Sequence, residues 1–342
     1  MKRAIWVLAA ALPLAAQPKL LINAQTDTRS AASGLEREYR TLLAAQPQPA
    51  WIAYSVPTLR GGNLGCDYVR DSINTAGVVH LEPPDHAIIL FRVENNALNR
   101  IRTLSPNCEI DAGGVPVHWL NDVQPAQSVA LLTSLAPERE GAGSGALQAI
   151  AAHADPAADA ALERFLAPEQ PENIRLRAVS YLAPRNLNLV KKLIAGDPDL
   201  RIRERAVSSL ANSRDPEALE LLISIAKSDN DSRLRTQAIS GLGRKSGPKV
   251  LSTLTGIVEN DRDGTVKRRA LSSLQSMPDG EGVPALIQLA KSQRDMELRK
   301  QAMTSLQHSR DPRALARSVA FSSPSRHVGH GPHARRVGPH YA

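Results

Sequence analysis

Aromatic side chains make up only 3% of this 342-residue chain. Its cores must therefore be built from Leu, Ile, Val and Ala, which suits thin layers of paired helices better than one thick globule. The few Trp and Tyr residues are too scattered to form a base-stacking platform. No apolar run reaches 18 residues, so no segment reads as a membrane-spanning helix. Gly61-Gly62-Asn63-Leu64-Gly65 lacks the Lys-Ser/Thr that a phosphate loop requires and reads as a turn. No Ser, His and Asp stand in a nucleophile-elbow context. Acidic residues are missing after Asp311, where Arg313, Arg317, Arg326, Arg335 and Arg336 stand alone. These five, with Lys2 and Arg3, supply seven of the eight net positive charges. The body of the chain is thus nearly neutral, which argues against nucleic acid as a partner.

Residues 1–16 combine a basic start, an uncharged run from Ala4 to Ala16 and small residues before Gln17. That is the pattern of a signal peptide, so export to a periplasmic or extracellular location is expected, with no membrane insertion after its removal. The chain has two cysteines, Cys66 and Cys108. In an oxidising compartment they read either as one disulfide or as two buried thiols.

Residues 17–121 read as a small α+β domain. Ser33-Gly34-Leu35-Glu36 fits a capping box opening a helix to about Ala45. Strands are expected at Trp51–Val56, Gly77–Glu82, Ala87–Val93, Leu98–Leu104 and Val115–Leu120, with Asn95-Asn96 as a hairpin turn. Residues 122–141 read as a helix (Pro125 to Leu135) and a linker. His80, Glu82, Asp85 and His86 surround Pro83-Pro84 without a metal-site spacing. The His residues of the basic tail, 322–342, also lack Cys or carboxylate company. That tail reads as unstructured or as a damaged end of the last repeat. No metal, cofactor or catalytic residue is assigned.

What the chain does have is a ruler. Ala178, Ala206, Ala238, Ala270 and Ala302 are spaced by 28 and then three times by 32 residues. Four positions before each stands Ile174, Ile202, Leu234, Val266 or Leu298, and four after stands Leu182, Leu210, Leu242, Leu274 or Leu306. A degenerate copy is centred on Ala146, with Ile150 in the leucine slot. Nine residues after each alanine comes a second landmark: Asp155-Pro156, Leu187, Asp215-Pro216, Gly247-Pro248, Asp279 or Asp311-Pro312. Asp-Pro is a cap followed by a first helical residue, so each unit is a pair of helices. Units of such length bury their apolar faces only by stacking. About six pairs are expected over 142–321.

At about 100° per residue, the apolar slots lie within about 40° of the alanine. The cation three positions before it (Arg175, Arg203, Arg235, Lys267, Arg299) falls inside the buried stripe and needs a partner. Asp199, Asp231, Asp263 and Asp295 stand four residues before the last four of these cations. Each aspartate is placed to cap its helix and to pair with its own cation, or with the neighbouring unit's, as a structural ladder.

The runs Asp-x-x-(Ile/Leu/Val)-(Arg/Lys)-x-x-Ala-x-x-x-Leu starting at Asp199, Asp231, Asp263 and Asp295 resemble the HEAT-repeat family, in particular the short HEAT-like repeats of the phycobilin-lyase type. The resemblance implies a mainly α protein: a right-handed α-solenoid of HEAT-like helix pairs, its second helices lining a concave side, preceded by the small α+β domain. Thr28-Arg29-Ser30-Ala31-Ala32 and Cys108-Glu-Ile-Asp-Ala-Gly-Gly114 are similar to the leader domain of exported bacterial HEAT-repeat proteins, which implies a shared architecture without naming an activity.

Positions two and one before the alanine, and two after it, point away from the stripe. The one before is always Arg or Gln, and the one two after always carries a hydroxyl. Arg177, Arg205, Gln237, Arg268, Arg269, Lys300 and Gln301 would then offer a donor-rich groove to an acidic protein or peptide. The same residues also read as a solvated helix face. A non-catalytic scaffold is the expected function; the alternative is a lyase-like or enzyme-associated protein with its chemistry in the N-terminal domain. The oligomeric state is not legible.

Overall fold

The computed structural model describes residues 21–59, 64, 84–137, 142–213, 215–309 and 311–314. The segments expected as signal peptide (1–16), strand (77–82) and basic tail (322–342), together with Cys66, His80 and Glu82, lie outside the described residues. Two compact units meet in sequence at Asn212/Ser213.

The first unit opens with β1 (Leu21–Ile22), β2 (Gln25–Ser30), α1 (Leu35–Ala44), β3 (Ala50–Pro57), β4 (His86–Glu94), β5 (Ala97–Leu104), β6 (Ile110–Asp111) and β7 (Pro116–Asn121). Five strands form one sheet in the order β2-β7-β3-β4-β5, while β1 and β6 pair as a separate two-stranded ribbon. β7 runs parallel to β2 and β3; β3/β4 and β4/β5 are antiparallel. β4 lies inside the sheet, between β3 and β5, and is covered on both faces, so it reads as a continuous apolar run rather than an alternation. The β4–β5 turn is made by Asn95 and Asn96 at φ 55° and 58°, the two positive φ values that a tight two-residue hairpin needs.

On one face of this sheet, α1 buries Leu35, Tyr39 and Leu42. Phe91 lies between Tyr39 and Tyr54, with ring centroids 5.1 and 5.6 Å away, so three aromatic rings meet in one core. The expected capping box does not open α1. Its N-cap is Gly34 at φ 128°, which makes no side-chain cap. The Leu35 N–H is met instead by Gln127 Oε1 at 3.3 Å, from the next helix. A side chain distant in sequence takes the place of the local cap.

Helices follow without interruption by sheet: α2 (Pro125–Leu135), α3 (Ala142–Ala152), α4 (Pro156–Arg164), α5 (Glu172–Leu182), α6 (Leu187–Gly196) and α7 (Leu200–Leu210). α2, the helix expected ahead of the linker, packs on α3 and so completes the degenerate repeat. α3 packs in turn on β5, and Gly145 sits so close to the Ile101 carbonyl that a Cβ there would collide with it. Thr58 and His153 form a bridge, and Ala154 N–H donates to Pro57 O at 3.1 Å. The sheet and the first helix pairs therefore share one compact unit.

The second unit contains α8 (Pro216–Ser228), α9 (Ser232–Leu242), α10 (Pro248–Asn260), α11 (Gly264–Ser276), α12 (Val283–Ser292) and α13 (Met296–Gln307). Asp155 and Asp215 cap their helices through the N–H groups of Ala157 and Glu217, and Asn186 does the same for Leu189. Asp279 differs from this pattern. It sits at φ 52° in a short 3₁₀ turn, and α12 starts later, after Gly282. The six ruler alanines, Ala146 included, are fully buried.

The buried cations are held differently from the expected pairing. Asp199, Asp231, Asp263 and Asp295 point into their own helix N-termini and accept from the N–H groups of Arg201, Arg233, Thr265 and Glu297. A carboxylate turned into that cap is not the main partner of a cation four residues on. Arg175 binds Asp197 Oδ2 at 2.5 Å, with Asp199 further off at 3.7 Å. Arg235 binds both oxygens of Asp261, at 3.1 and 3.2 Å. Each pair joins one repeat to the next and is almost wholly excluded from water, at 4–6% side-chain exposure. The remaining guanidinium donors reach orphan carbonyls at the end of the first helix of their own repeat: Arg175 to Leu166 O, Arg203 to Ile194 O, Arg235 to Asp229 O. In the last interval Lys267 replaces Arg and Gln293 replaces Asp; Lys267 bonds the Glu259 carbonyl, while Gln293 Oε1 accepts from Asp295 N–H. Arg299 contacts the sulfur of Met296.

The tight approach of α3 to β5 sets a test. Gly145→Ala forces the two apart and should cost about 1–3 kcal/mol, the usual range for overpacking. Denaturant unfolding of the two proteins measures the difference, and an unchanged midpoint would show that α3 does not rest on β5.

Candidate functional site

Arg177, Arg205, Arg268, Arg269 and Lys300 are exposed, whereas Gln237 and Gln301 are half-buried. Their partners show what this face is made of. In the second unit, Arg269 Nε donates to Ser240 Oγ of the preceding repeat at 2.6 Å, and Gln301 Nε2 donates to Ser272 Oγ at 3.1 Å. The Arg/Gln slot of one repeat is thus stitched to the hydroxyl slot of the repeat before it. Each hydroxyl passes its own proton back along its helix, Ser240 to Thr236 O and Ser272 to Arg268 O. These two slots, which looked like free donors, serve each other along the stack. Arg268 bonds Thr265 Oγ1 and Lys300 pairs with Glu297, both at 3.1 Å and in the open, so neither charge is tied down. In the first unit, Ser180 bonds Leu176 O, Arg201 pairs with Glu172 at 2.6 Å, and Arg177 and Arg205 are exposed.

A second polar constellation was not anticipated. Tyr54 OH lies 2.7 Å from Ser128 Oγ, Ser128 Oγ lies 2.9 Å from His153 Nε2, and His153 Nδ1 lies 2.7 Å from Ala149 O. A carbonyl only accepts, so Nδ1 carries the imidazole proton and Nε2 is the acceptor for Ser128. Tyr54 then donates to Ser128. A serine on an imidazole suggests a nucleophile and its base, but all three residues are buried, at 0–1% exposure, and no substrate atom can reach them. The chain of bonds ties β3, α2 and the end of α3 together. Burial lowers the His153 pKa from its ordinary 6.5 and raises that of the Tyr54 phenol.

His118 is also engaged on both ring nitrogens, by the Asp27 carboxylate and by Gln46 Oε1. Cys108 is buried and disulfide-bonded; Cys66, the other residue of the expected pair, lies outside the described residues. Among the described residues, no group of three or more His, Cys, Asp or Glu is placed to hold a metal ion, and no helix is long and apolar enough to cross a membrane.

Stacked two-helix repeats with a capping aspartate, a buried cation and a buried alanine define a class of helical repeat protein. Residues 186–275 and 251–317 match the family described as HEAT repeats, so the helical array carries HEAT repeats over that span. Among solved structures, the chain is similar to the complex of CpcE and CpcF of phycocyanin lyase from Nostoc sp. PCC7120, at 22% identity over 44% of this chain and 99% of that one, with a TM-score of 0.32. It is also similar to human deoxyhypusine hydroxylase in complex with glycerol, at 15% identity over 59% and 91% of the two chains and a TM-score of 0.30. Likeness at this level carries no activity across. Comparison with curated proteins gives no match.

The buried imidazole has a pH consequence. With its folded pKa below that of the unfolded chain, His153 contributes its stability in full above pH 6.5. Below that, the unfolded chain takes up a proton that the folded one resists, and the contribution is lost as pH falls. Unfolding midpoints between pH 7.5 and 5.5 should therefore fall more steeply for the wild type than for His153→Gln. Parallel curves would mean that His153 is not held neutral.

Proposed function

We propose that the protein is an exported, non-catalytic scaffold whose HEAT-repeat helices present recurring cations to an acidic protein or peptide partner. One observation carries the reading: after the Arg/Gln and hydroxyl slots of the second unit have stitched adjacent repeats, guanidinium and ammonium groups remain exposed one or two positions before the ruler alanine. These are Arg177 and Arg205 in the first unit, and Arg268 and Lys300 in the second; Arg269 is exposed too, with its Nε on Ser240. Such groups bind carboxylates by bidentate or charge-assisted hydrogen bonds, and within each unit their recurrence from one repeat to the next suits an extended partner more than a small molecule. Export is supported by the residue pattern of the first sixteen positions and by the disulfide at Cys108. The lyase-like alternative would place its chemistry in the N-terminal domain, where the two His-centred arrangements are both engaged. The Ser128–His153 pair is sealed, and His118 is occupied on both sides.

Charge reversal tests this directly. Arg205→Glu combined with Arg268→Glu removes exposed charge without touching the buried pairs, so the fold should survive. Cross-linking and affinity capture from extracytoplasmic fractions, using the full chain as bait, should recover a discrete acidic partner with the wild type and at least about tenfold less with the variant. Equal recovery with both baits would remove this face as the binding surface.

A further inference from the structure

The face of the sheet turned away from α1 holds an arrangement that the scaffold reading does not use. Here Ala53, Ile88, Leu90, Leu104, Cys108, Val117 and Trp119 form a second apolar cluster, with Leu21, Ala24, Trp51 and Ile110 packed against it. Between the sheet and the β1–β6 ribbon a cleft of about 60 Å³ remains, lined by Trp51, Leu90, Leu104, Val117 and Ile110, with Arg102 and Asp111 also on its wall. At about 10–15 Å³ per water-sized group, that is room for roughly four to six such groups, the size of a short aliphatic chain.

The residues next to the cleft are cationic. Strand register sets Trp51, Arg92 and Arg100 in one row across β3, β4 and β5. Arg92 and Arg100 are direct cross-strand partners, so two like charges face each other where such a pair is destabilising. The Arg92 guanidinium lies 5.5 Å from the centre of the Trp51 ring, and its Nη1 is buried with no hydrogen-bond partner. No carboxylate among the described residues pairs with Arg92 or Arg100. The acids on the same side are committed elsewhere: Asp111 accepts from Asn23 and from Gly113 N–H, and Glu94 accepts from Asn99. A buried guanidinium nitrogen without a partner, opposite a second unpaired arginine, is an energetic defect that a bound anion would relieve.

The spacing couples the two features. Arg92 and Arg100 stand two residues along their strands from Leu90 and Arg102, which line the cleft, a step of about 7 Å. Trp51 belongs to both. We propose that Trp51, Arg92 and Arg100 form a carboxylate-binding site continuous with this cleft, for a ligand that places a carboxylate between the two guanidinium forks and a short aliphatic group in the cleft. Two sources carry that chemistry: a free short-chain carboxylic acid, and the C-terminal residue of a peptide with an aliphatic side chain. The site lies in the N-terminal sheet and does not depend on the cationic helix face.

The test is titration of the full chain, followed by tryptophan fluorescence and calorimetry, with pentanoate, pentylamine and a short peptide ending in valine, as free acid and as amide. Saturable binding of pentanoate or of the free-acid peptide is expected, weakened at least tenfold by Arg92→Gln and by Arg100→Gln. Pentylamine and the amide should not bind. Binding of pentanoate alone identifies a small acid as the ligand, and binding of the free-acid peptide alone identifies a chain terminus; either supports the site. Because Arg100 is exposed, Arg100→Gln still reads the site if the half-buried Arg92 proves necessary for folding. The proposal is overturned if neither carboxylate binds, if the amine or amide binds equally well, or if folded Arg100→Gln binds as tightly as the wild type.

Discussion

Burying a guanidinium inside a helix pair costs several kcal/mol unless a carboxylate meets it at close range with its remaining donors satisfied. Arg175 with Asp197 and Arg235 with Asp261 meet that condition, each in its own unit. Because the aspartate belongs to the following repeat, the charge pair fixes how far and at what angle the second helix pair sits from the first. Hydrophobic contact alone would not, since a stripe of Leu, Ile, Val and Ala is tolerant of small slips. The aspartate is itself held: Asp197 Oδ1 and Asp261 Oδ1 accept the N–H groups of Asp199 and Asp263, the residues that cap the following helix. One Asp-x-Asp segment thus orients a carboxylate toward a buried cation and starts a helix two residues later.

What this leaves at the surface follows from what it consumes inside. Charges at the buried slot are neutralised within the array, and in the second unit Arg/Gln and Ser side chains cross-link neighbouring helices. The cations still exposed stand one or two positions before the ruler alanine of their repeats. At the other end of the chain, α3 joins the sheet through a backbone approach that only Gly145 permits, and the Tyr54–Ser128–His153 chain of bonds locks that junction. The first helix pair therefore rests on a sheet, which covers an apolar edge that a terminal repeat would otherwise show to water.

The helix array was legible because its signals are local and recur. Alanine, leucine and capping aspartate each keep one position in a 32-residue frame, and each reports a contact made within its own helix pair. The partner of the buried arginine was missed because it is non-local, although Asp197, Asp229 and Asp261 keep the same spacing and stand two residues before the recognised caps. β2 escaped notice since its residues are exposed throughout and show no alternation. The start of α1 was misplaced because a glutamine 92 positions away does the work expected of Ser33. The unpaired arginines on the sheet were invisible for the same reason: only register sets Arg92 against Arg100.

A double-mutant cycle on Arg235 and Asp261 tests the ladder most directly. Arg235→Met and Asp261→Leu each strand a buried charge and should each cost about 3–5 kcal/mol, whereas the double replacement, which leaves no charge behind, should cost less than either. Additive losses, with no coupling between the two positions, would contradict the claim that this pair holds one repeat to the next.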